Sequence, residues 1–366
     1  MMDICLLGYC LGLPGNGAAT YARNLALGLT RRGHRVEVIT QRAGGLLRNT
    51  PCEVRAVGGK PLTSLSGPRF ALSVLMLFAR RTQRPRVQLV HSLSADPNVA
   101  LLGSAASRIA GVPHVHSALS ATCGSRRFRF VNLLVHTSMA HGDQPSGSVH
   151  IPPPVNMDPF CPAPAARPRY ANDSFRVGFM GPPLRRKGLR PLVRAIPAVL
   201  ASCPRAEFDL AVDVYQVRLV REFEEELQWL RAFVKGHRLE PRVRIYGEVE
   251  PASFLRSLDV LVFPLQTARA VLDPPLTILE AMAAGCAVLS TRVGSIPDLL
   301  SDGDAGFLIE HGHEGDPCGY VDALVSLARC RERVARVARL GVERAQTFSL
   351  DRIAARFEEH YAQLVG

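Results

Sequence analysis

The sequence predicts an α/β protein made of two doubly wound, Rossmann-like domains facing each other across a cleft. Three observations carry that prediction. Short apolar runs alternate with helical patterns from Ile4 to Thr137, a proline-rich stretch interrupts them, and the alternation restarts at Phe175. A chain of 366 residues with 47% hydrophobic content is long for one core and sufficient for two.

In the first half, Ile4 to Gly8, Val36 to Thr40 and Val87 to His91 read as strands, with a helix over Ala18 to Arg32. A helix over Asp96 to Ala110 and strands at His114 to Ser117 and Asn132 to Thr137 continue the rhythm. Seven prolines between Ile151 and Pro168 can neither donate to a ladder nor continue a helix, so this stretch reads as an interdomain linker. The second series has strands at Phe175 to Gly181, Phe208 to Val212, Val243 to Tyr246, Val260 to Phe263 and Ala287 to Ser290. Helices over Asp316 to Arg329, Arg331 to Phe348 and Asp351 to Leu364 close the chain. The expected division is a domain over 1–155, a linker over 156–170, a domain over 171–348 and a closing helix over 349–366 that packs back toward the first domain.

The net charge of +12 lies mainly on arginines, clustered at Arg31 to Arg35, Arg80 to Arg86, Arg126 to Arg129 and Arg185 to Lys187, and implies anionic partners. Aromatic content of 6%, not interleaved with the basic stretches, argues against nucleic acid. The nine cysteines form no CxxC pair and are odd in number, which suits reduced thiols in a cytoplasmic protein. The opening MMDICLLGYCLGLPG breaks at glycines after a few apolar residues and reads as a first strand rather than a leader. Phe70 to Arg81 (FALSVLMLFARR) is too short to cross a bilayer, which needs about twenty residues, and reads as a packed helix. Its basic end and the Arg126 to Arg129 cluster leave open peripheral contact with an anionic inner membrane face.

Parallel sheets bind ligands beyond the carboxyl ends of their strands, so chemistry is sought there. Gly15 and Gly17 follow the first strand and precede a helix, as a phosphate or acceptor loop would, or as an ordinary strand-to-helix turn would. In FMGPPLRRKGLRPLVRAI, the cations Arg185, Arg186 and Lys187 precede a helix beginning near Gly188 and suit a diphosphate; a solvated basic turn is the plainer alternative. Glu280 stands early in a helix opened by Pro274 and Pro275, where its carboxylate can accept both hydroxyls of a ribose or simply meet the helix dipole. His91 and His116, read as strand ends on the acceptor side, can bond a sugar hydroxyl or phosphate, or serve the fold. No histidine pair has helical zinc spacing and no Ser-His-Asp order stands out, so neither a metal nor hydrolase chemistry is expected.

The run VLDPPLTILEAMAAGCAVLSTRVGSIPDLL, with DGDAGFLI after it, resembles the donor-site signature of the family 4 glycosyltransferases of the GT-B fold. GNGAATYARNLALGLTRRGHRVEVIT, VQLVHS, GVPHVHS, IPPPVNMDPFCP, KGLRPLVRAI and FSLDRIAARFEEHYAQL resemble further segments of that family in the right order. The resemblance implies that Glu280 holds the nucleotide ribose, Lys187 the donor phosphates, the amides near Pro275 and Leu276 the sugar or phosphate, and that Gly17 borders the acceptor. It implies a retaining transfer from a nucleotide-diphosphate sugar to a carbohydrate or lipid-linked acceptor, with Asp273, Lys187 and His116 as catalytic candidates and neither a cofactor nor an obligatory metal.

The chain also departs from the family pattern. The arginine after the phosphate-loop glycine is Pro182, leaving Arg185 or Arg186 to substitute. The first acidic position falls on Leu272, with Asp273 one place later, and a histidine near the end of HVHSALS is Leu119. A glycine-rich turn is replaced by VDVYQ. These replacements leave two alternatives standing: a catalytically silent binding or scaffolding relative, and a sugar-nucleotide epimerase of the same fold.

Overall fold

The computed structural model describes residues 1–9, 11, 17–41, 44–47, 50–57, 66–81, 87–120, 126–139, 147–160, 174–212, 221–269, 271–310 and 317–366. The chain divides into two units: Met1–Val155 with Arg269–Leu276 and Phe348–Gly366, and Asn156–Ala268 with Thr277–Thr347.

The first unit holds strands β1 (Asp3–Leu7), β2 (Arg35–Thr40), β3 (Glu53–Ala56), β4 (Leu89–Ser94), β5 (His114–Ala118), β6 (Leu133–His136) and β7 (Val149–His150). They form a parallel sheet in the order β3-β2-β1-β4-β5-β6-β7, with helices α1 (Gly17–Arg31), α2 (Ser66–Arg81) and α3 (Pro97–Ala110) between them. Alternation along the strands decides what each helix meets. Cys5 and Leu7 of β1 form one core with Phe70, Val74 and Phe78, three residues spaced one turn apart on α2. The start of α3 is fixed by Asp96, whose side chain accepts from the Asn98 amide, and by Pro97 in the first turn; its end is fixed by Gly111 in a left-handed conformation.

The second unit contains β8 (Phe175–Gly181), α4 (Leu189–Ser202), β9 (Ala206–Val212), α5 (Arg221–Gly236), β10 (Val243–Tyr246), α6 (Pro251–Ser257) and β11 (Val260–Phe263). After these come α7 (Leu276–Ala283), β12 (Ala287–Thr291), α8 (Ile296–Leu299), β13 (Phe307–Ile309), α9 (Cys318–Arg329) and α10 (Arg331–Gln346). Its parallel sheet runs β10-β9-β8-β11-β12-β13. Buried Asp259, just before β11, accepts from the Arg176 amide at 2.7 Å and from Arg331 Nη1 at 3.0 Å, tying α10 to the sheet. A last helix, α11 (Leu350–Val365), belongs to the first unit and packs on α1. Gly28 of α1 permits that approach, because a Cβ there would lie 3.0 Å from the Ala354 Cβ and from the Leu350 carbonyl oxygen.

Strand order reverses between β1 and β4 in the first sheet and between β8 and β11 in the second, which makes those two gaps the topological switch points. Several features depart from the sequence reading. β4 runs three residues past His91, and β5 two residues past His116, because buried Leu93 and Ala118 keep the alternation going. β3, β7, β13 and α5 carry no long apolar run and were not foreseen. The segment Arg269–Leu276 groups with the first unit although it lies within the expected second domain. Of the expected linker, residues 161–170 lie outside the described residues.

Candidate functional site

In the second unit, the chain leaves β8 at its switch point and turns through Pro182 to Gly188 before entering α4. Gly188 is obligatory: its φ is +70°, and a Cβ there would collide with the Pro264 carbonyl oxygen in the loop after β11. The Gln266 amide donates to the Arg186 carbonyl at 2.9 Å, so the two loops flanking the switch point are fastened together. Gln266 Nε2 also donates to the Pro264 carbonyl, while Ser290 and Thr291 at the end of β12 donate to the Phe263 and Leu265 carbonyls, both at 2.5 Å.

The three cations of this turn meet different surroundings. Arg185 Nε donates to Glu226 at 3.0 Å, and its amide donates to Glu222, so this guanidinium is engaged by α5. Glu226, buried on the inner face of α5, also accepts from Arg190 Nε at 2.7 Å. Lys187 lies over the Phe263 ring, with Nζ 5.1 Å from the centroid. Burial, with a smaller contribution from Arg186, pushes its ammonium down to about 8. Arg186 has a buried Nε without a hydrogen-bond partner. Among the described residues, neither Arg186 nor Lys187 forms an ion pair with a carboxylate.

Glu280 is half-buried in the second turn of α7, the helix that the chain enters after leaving β11 at the same carboxyl edge. Pro275 and Leu276, the expected amide positions, are buried at the start of that helix, and Leu276 is the last residue grouped with the first unit. Glu226 was missed by sequence reasoning. Its signal was present: a glutamate falling between Phe223, Leu227 and Leu230 on the apolar face of a helix needs a buried cation.

In the first unit, Gly15 lies outside the described residues. Gly17 opens α1, and a Cβ on it would stand 3.3 Å from the Leu272 Cβ. Asp273 is 2% exposed and accepts from the Ser138 hydroxyl at 2.5 Å, while its amide donates to the Leu119 carbonyl at 3.3 Å. The family positions on which this chain departs, Leu119 and Leu272, therefore sit beside the glycine turn and Asp273 at one edge of one sheet. Through these two bonds Asp273, expected as a catalytic group, ties the 269–276 segment to the ends of β5 and β6. Ser138, its partner, had no sequence signal, since a serine after a strand is common.

Both candidate histidines are interior residues rather than strand-end groups. His91 is fully buried, with Nδ1 2.5 Å from the Tyr361 hydroxyl and Nε2 2.8 Å from Ser117 Oγ, which also meets Tyr21. Both of its nitrogens serve the packing of α11 and α1 on the sheet, so the acceptor-side role expected for it is corrected. His116 faces the other side of the sheet in a chain running Ser104, His114, Ser92, His116. Ser104 donates its one proton to the Phe130 carbonyl, so it accepts from His114 Nδ1. Ser92 must then donate to His114 Nε2 and accept from His116 Nδ1. His116 Nε2 is left as a buried lone pair without a hydrogen-bond partner, its ring stacked on Phe128 at 5.2 Å. Burial pushes His114 down to about 4 and, with the nearby His114, His116 down to about 3; His91 is also well below the ordinary range. All three rings are neutral at physiological pH.

Among the described residues, no cluster of three or more His, Cys, Asp or Glu side chains could hold a metal. Nor is any helix there long and apolar enough to cross a membrane.

Two parallel, doubly wound units, with a cationic turn at the switch point of the second, define an α/β protein of the GT-B class. The chain belongs to the family 4 glycosyltransferases. Residues 15–136 match the family described as Glycosyltransferase Family 4, and residues 174–329 match Glycosyl transferases group 1. A D-inositol 3-phosphate glycosyltransferase of Streptomyces avermitilis is 29% identical over 78% of this chain, and the match spans only 61% of that protein. One of the same name from an Arthrobacter species is 28% identical over 95% of this chain and 91% of its own length. Among solved structures, Anabaena HepE in complex with UDP and glucose has a TM-score of 0.77 at 19% identity, covering 100% of both chains.

Proposed function

We propose that the protein is a retaining glycosyltransferase that moves a sugar from a nucleotide-diphosphate sugar to a hydroxyl of a carbohydrate or lipid-linked acceptor. The observation that carries this reading is the pair Arg186 and Lys187. They are adjacent cations at the switch point of the second sheet, neither has a carboxylate partner among the described residues, and the Arg186 Nε is buried unsatisfied. A diphosphate supplies the negative charge and acceptor oxygens that these groups lack. The amides at the start of α4 point the same helix dipole toward it.

In this reading Glu280 accepts the ribose hydroxyls, and Lys187 with Arg186 neutralises the diphosphate as the bond from the anomeric carbon to its phosphate oxygen breaks. The acceptor oxygen bonds to that carbon on the same face, and its proton passes to the departing phosphate oxygen. The relatives named as D-inositol 3-phosphate glycosyltransferases support glycosyl transfer, and the similar structure bound to UDP and glucose supports a nucleotide-sugar donor.

The test is a thermal-shift screen of UDP, GDP and ADP followed by nucleotide-sugar turnover. At least one nucleotide should stabilise the protein, and Lys187→Ala should cost about a hundredfold in kcat/KM. The reading fails if no nucleotide stabilises the protein and turnover is indifferent to Glu280→Ala. Nucleotide binding without transfer to any acceptor would instead favour a silent binding subunit.

A further inference from the structure

Four cations stand within the six residues from Arg185 to Arg190, where the chain turns from β8 into α4, and their surroundings divide them into two pairs. Glu226 of α5, 2% exposed, shares its carboxylate between two of them: Oε1 accepts from Arg185 Nε at 3.0 Å and Oε2 from Arg190 Nε at 2.7 Å. The Arg190 guanidinium also lies over the ring of Trp229, the one tryptophan of the chain, 4.6 Å from its centroid. Two further contacts seat the turn on α5: buried Leu184 packs on buried Phe223, and the Arg185 amide donates to Glu222 at 3.0 Å. Its other flank is fastened to the loop after β11 by the bond from the Gln266 amide to the Arg186 carbonyl.

An apolar residue at 226 would complete the inner face of α5 beside Phe223, Leu227 and Leu230 without the desolvation that a buried carboxylate entails. The effect of a glutamate there is electrostatic. Without it, four positive charges would crowd the start of α4, where the helix dipole is itself positive. With it, Arg186 and Lys187 are the two that have no carboxylate among the described residues. The Arg185 side chain is 56% exposed and adjoins Arg186 in the chain, so it is the Glu226 carboxylate that keeps its guanidinium on α5.

We infer that Glu226 is a positioning residue that withholds Arg185 from the bound diphosphate, limiting the site to two cations and so setting the balance between donor and released nucleotide. This rests on the reading of Arg186 and Lys187 as the diphosphate site. A diphosphate esterified to a sugar carries about two negative charges; the free nucleoside diphosphate carries about three at neutral pH, because its terminal phosphate loses a second proton near about pH 6. A third cation in the site would strengthen the hold on the product more than the hold on the donor. Keeping Arg185 on α5 prevents the spent nucleotide from displacing fresh donor.

The experiment is a cycle on the full chain of Glu226→Gln, Arg185→Gln and the two together, measuring affinity for UDP, GDP and ADP and for the glucose ester of each. Glu226→Gln should tighten the free diphosphate about tenfold and its glucose ester about threefold. Arg185→Gln should change either by less than about twofold, and the double variant should return both to the unmodified values, because the released charge is gone. Melting temperature and the emission of Trp229 check that α5 keeps its place under Arg190. Should Glu226→Gln unfold, Arg185→Gln decides alone: a tenfold loss of affinity would put that guanidinium on the phosphates and overturn the inference. Glu226→Gln that leaves both ligands unchanged, or weakens both alike with no recovery on adding Arg185→Gln, overturns it as well. If the unmodified protein binds no nucleotide, the transferase reading falls and this inference with it; nucleotide binding together with either overturning result removes this inference alone.

Discussion

At the carboxyl edge of the first sheet and in the strands behind it, polar groups are turned on one another. His91 is held by Tyr361 and Ser117, His116 by Ser92, and Asp273 by Ser138. At the corresponding edge of the second sheet, Arg185 alone is neutralised, by Glu226, while Arg186 and Lys187 beside it have no carboxylate among the described residues. The two sheets share a topology; in the first, each of these groups has a side-chain partner although His116 Nε2 has none, and in the second two adjacent cations have no carboxylate among the described residues. Satisfied networks rigidify a scaffold; uncompensated cations at a switch point call for an anion.

The largest expected effect follows from the first region. In the unfolded chain His91, His114 and His116 titrate near about 6.5, whereas burial holds their folded values far lower, His114 about 4 and His116 about 3. The unfolded state therefore binds more protons as the pH falls below about 6.5, and stability present above that pH is lost on the way down toward the folded values. Each such histidine contributes a slope of at most about 1.4 kcal/mol per pH unit, and the three together about 4 kcal/mol per unit. Urea denaturation at a series of pH values from neutral to mildly acidic measures this directly, and His116→Gln should reduce the slope by roughly a third. A slope no steeper than that of exposed histidines would break the contrast between the two regions.

The second region has its own pH signature, of opposite direction. Lys187 in the ligand-free protein loses its proton near pH 8, so nucleotide-diphosphate affinity should be level below that pH. Above it the affinity should weaken by up to about tenfold per unit toward the ordinary lysine value of about 10.4. Isothermal titration of the nucleotide at several pH values would show the bend, and Lys187→Arg should remove it, since a guanidinium stays charged. A level profile in the unmodified protein would mean that Lys187 does not face the phosphates.

Much of the fold could be read from the sequence because buried parallel strands are written as short apolar runs: Phe175 to Gly181, Val243 to Tyr246 and Val260 to Phe263 were bounded to the residue. β3 escaped because an edge strand reading Glu-Val-Arg-Ala looks like any solvated segment. The cationic turn was legible for a similar reason, since Gly188 and the helix after it punctuate the chain. What the sequence could not say was which cation is free. The answer depends on Glu226, some forty residues away on another helix, and pairing across such separations leaves no local pattern. Likewise His91 and His116 were read as strand ends because the apolar run stops there, while the strands continue on alternating serines and small residues.

Asp273 is the residue at which the comparison is sharpened most, although its expected effect is the smallest. It comes from the segment that joins the first unit, and its carboxylate accepts from Ser138 at 2.5 Å. Asparagine keeps an acceptor oxygen for that serine, so Asp273→Asn should leave turnover within about threefold of the unmodified enzyme. Asp273→Ala and Ser138→Ala should each lower the stability of the first unit by about 1–2 kcal/mol, and the double variant by little more than either, because both remove the same contact. Urea denaturation and steady-state kinetics on the four variants separate the roles. A hundredfold fall in kcat for Asp273→Asn with stability intact would mean that the carboxylate's charge, and not its hydrogen bond, is what the protein uses.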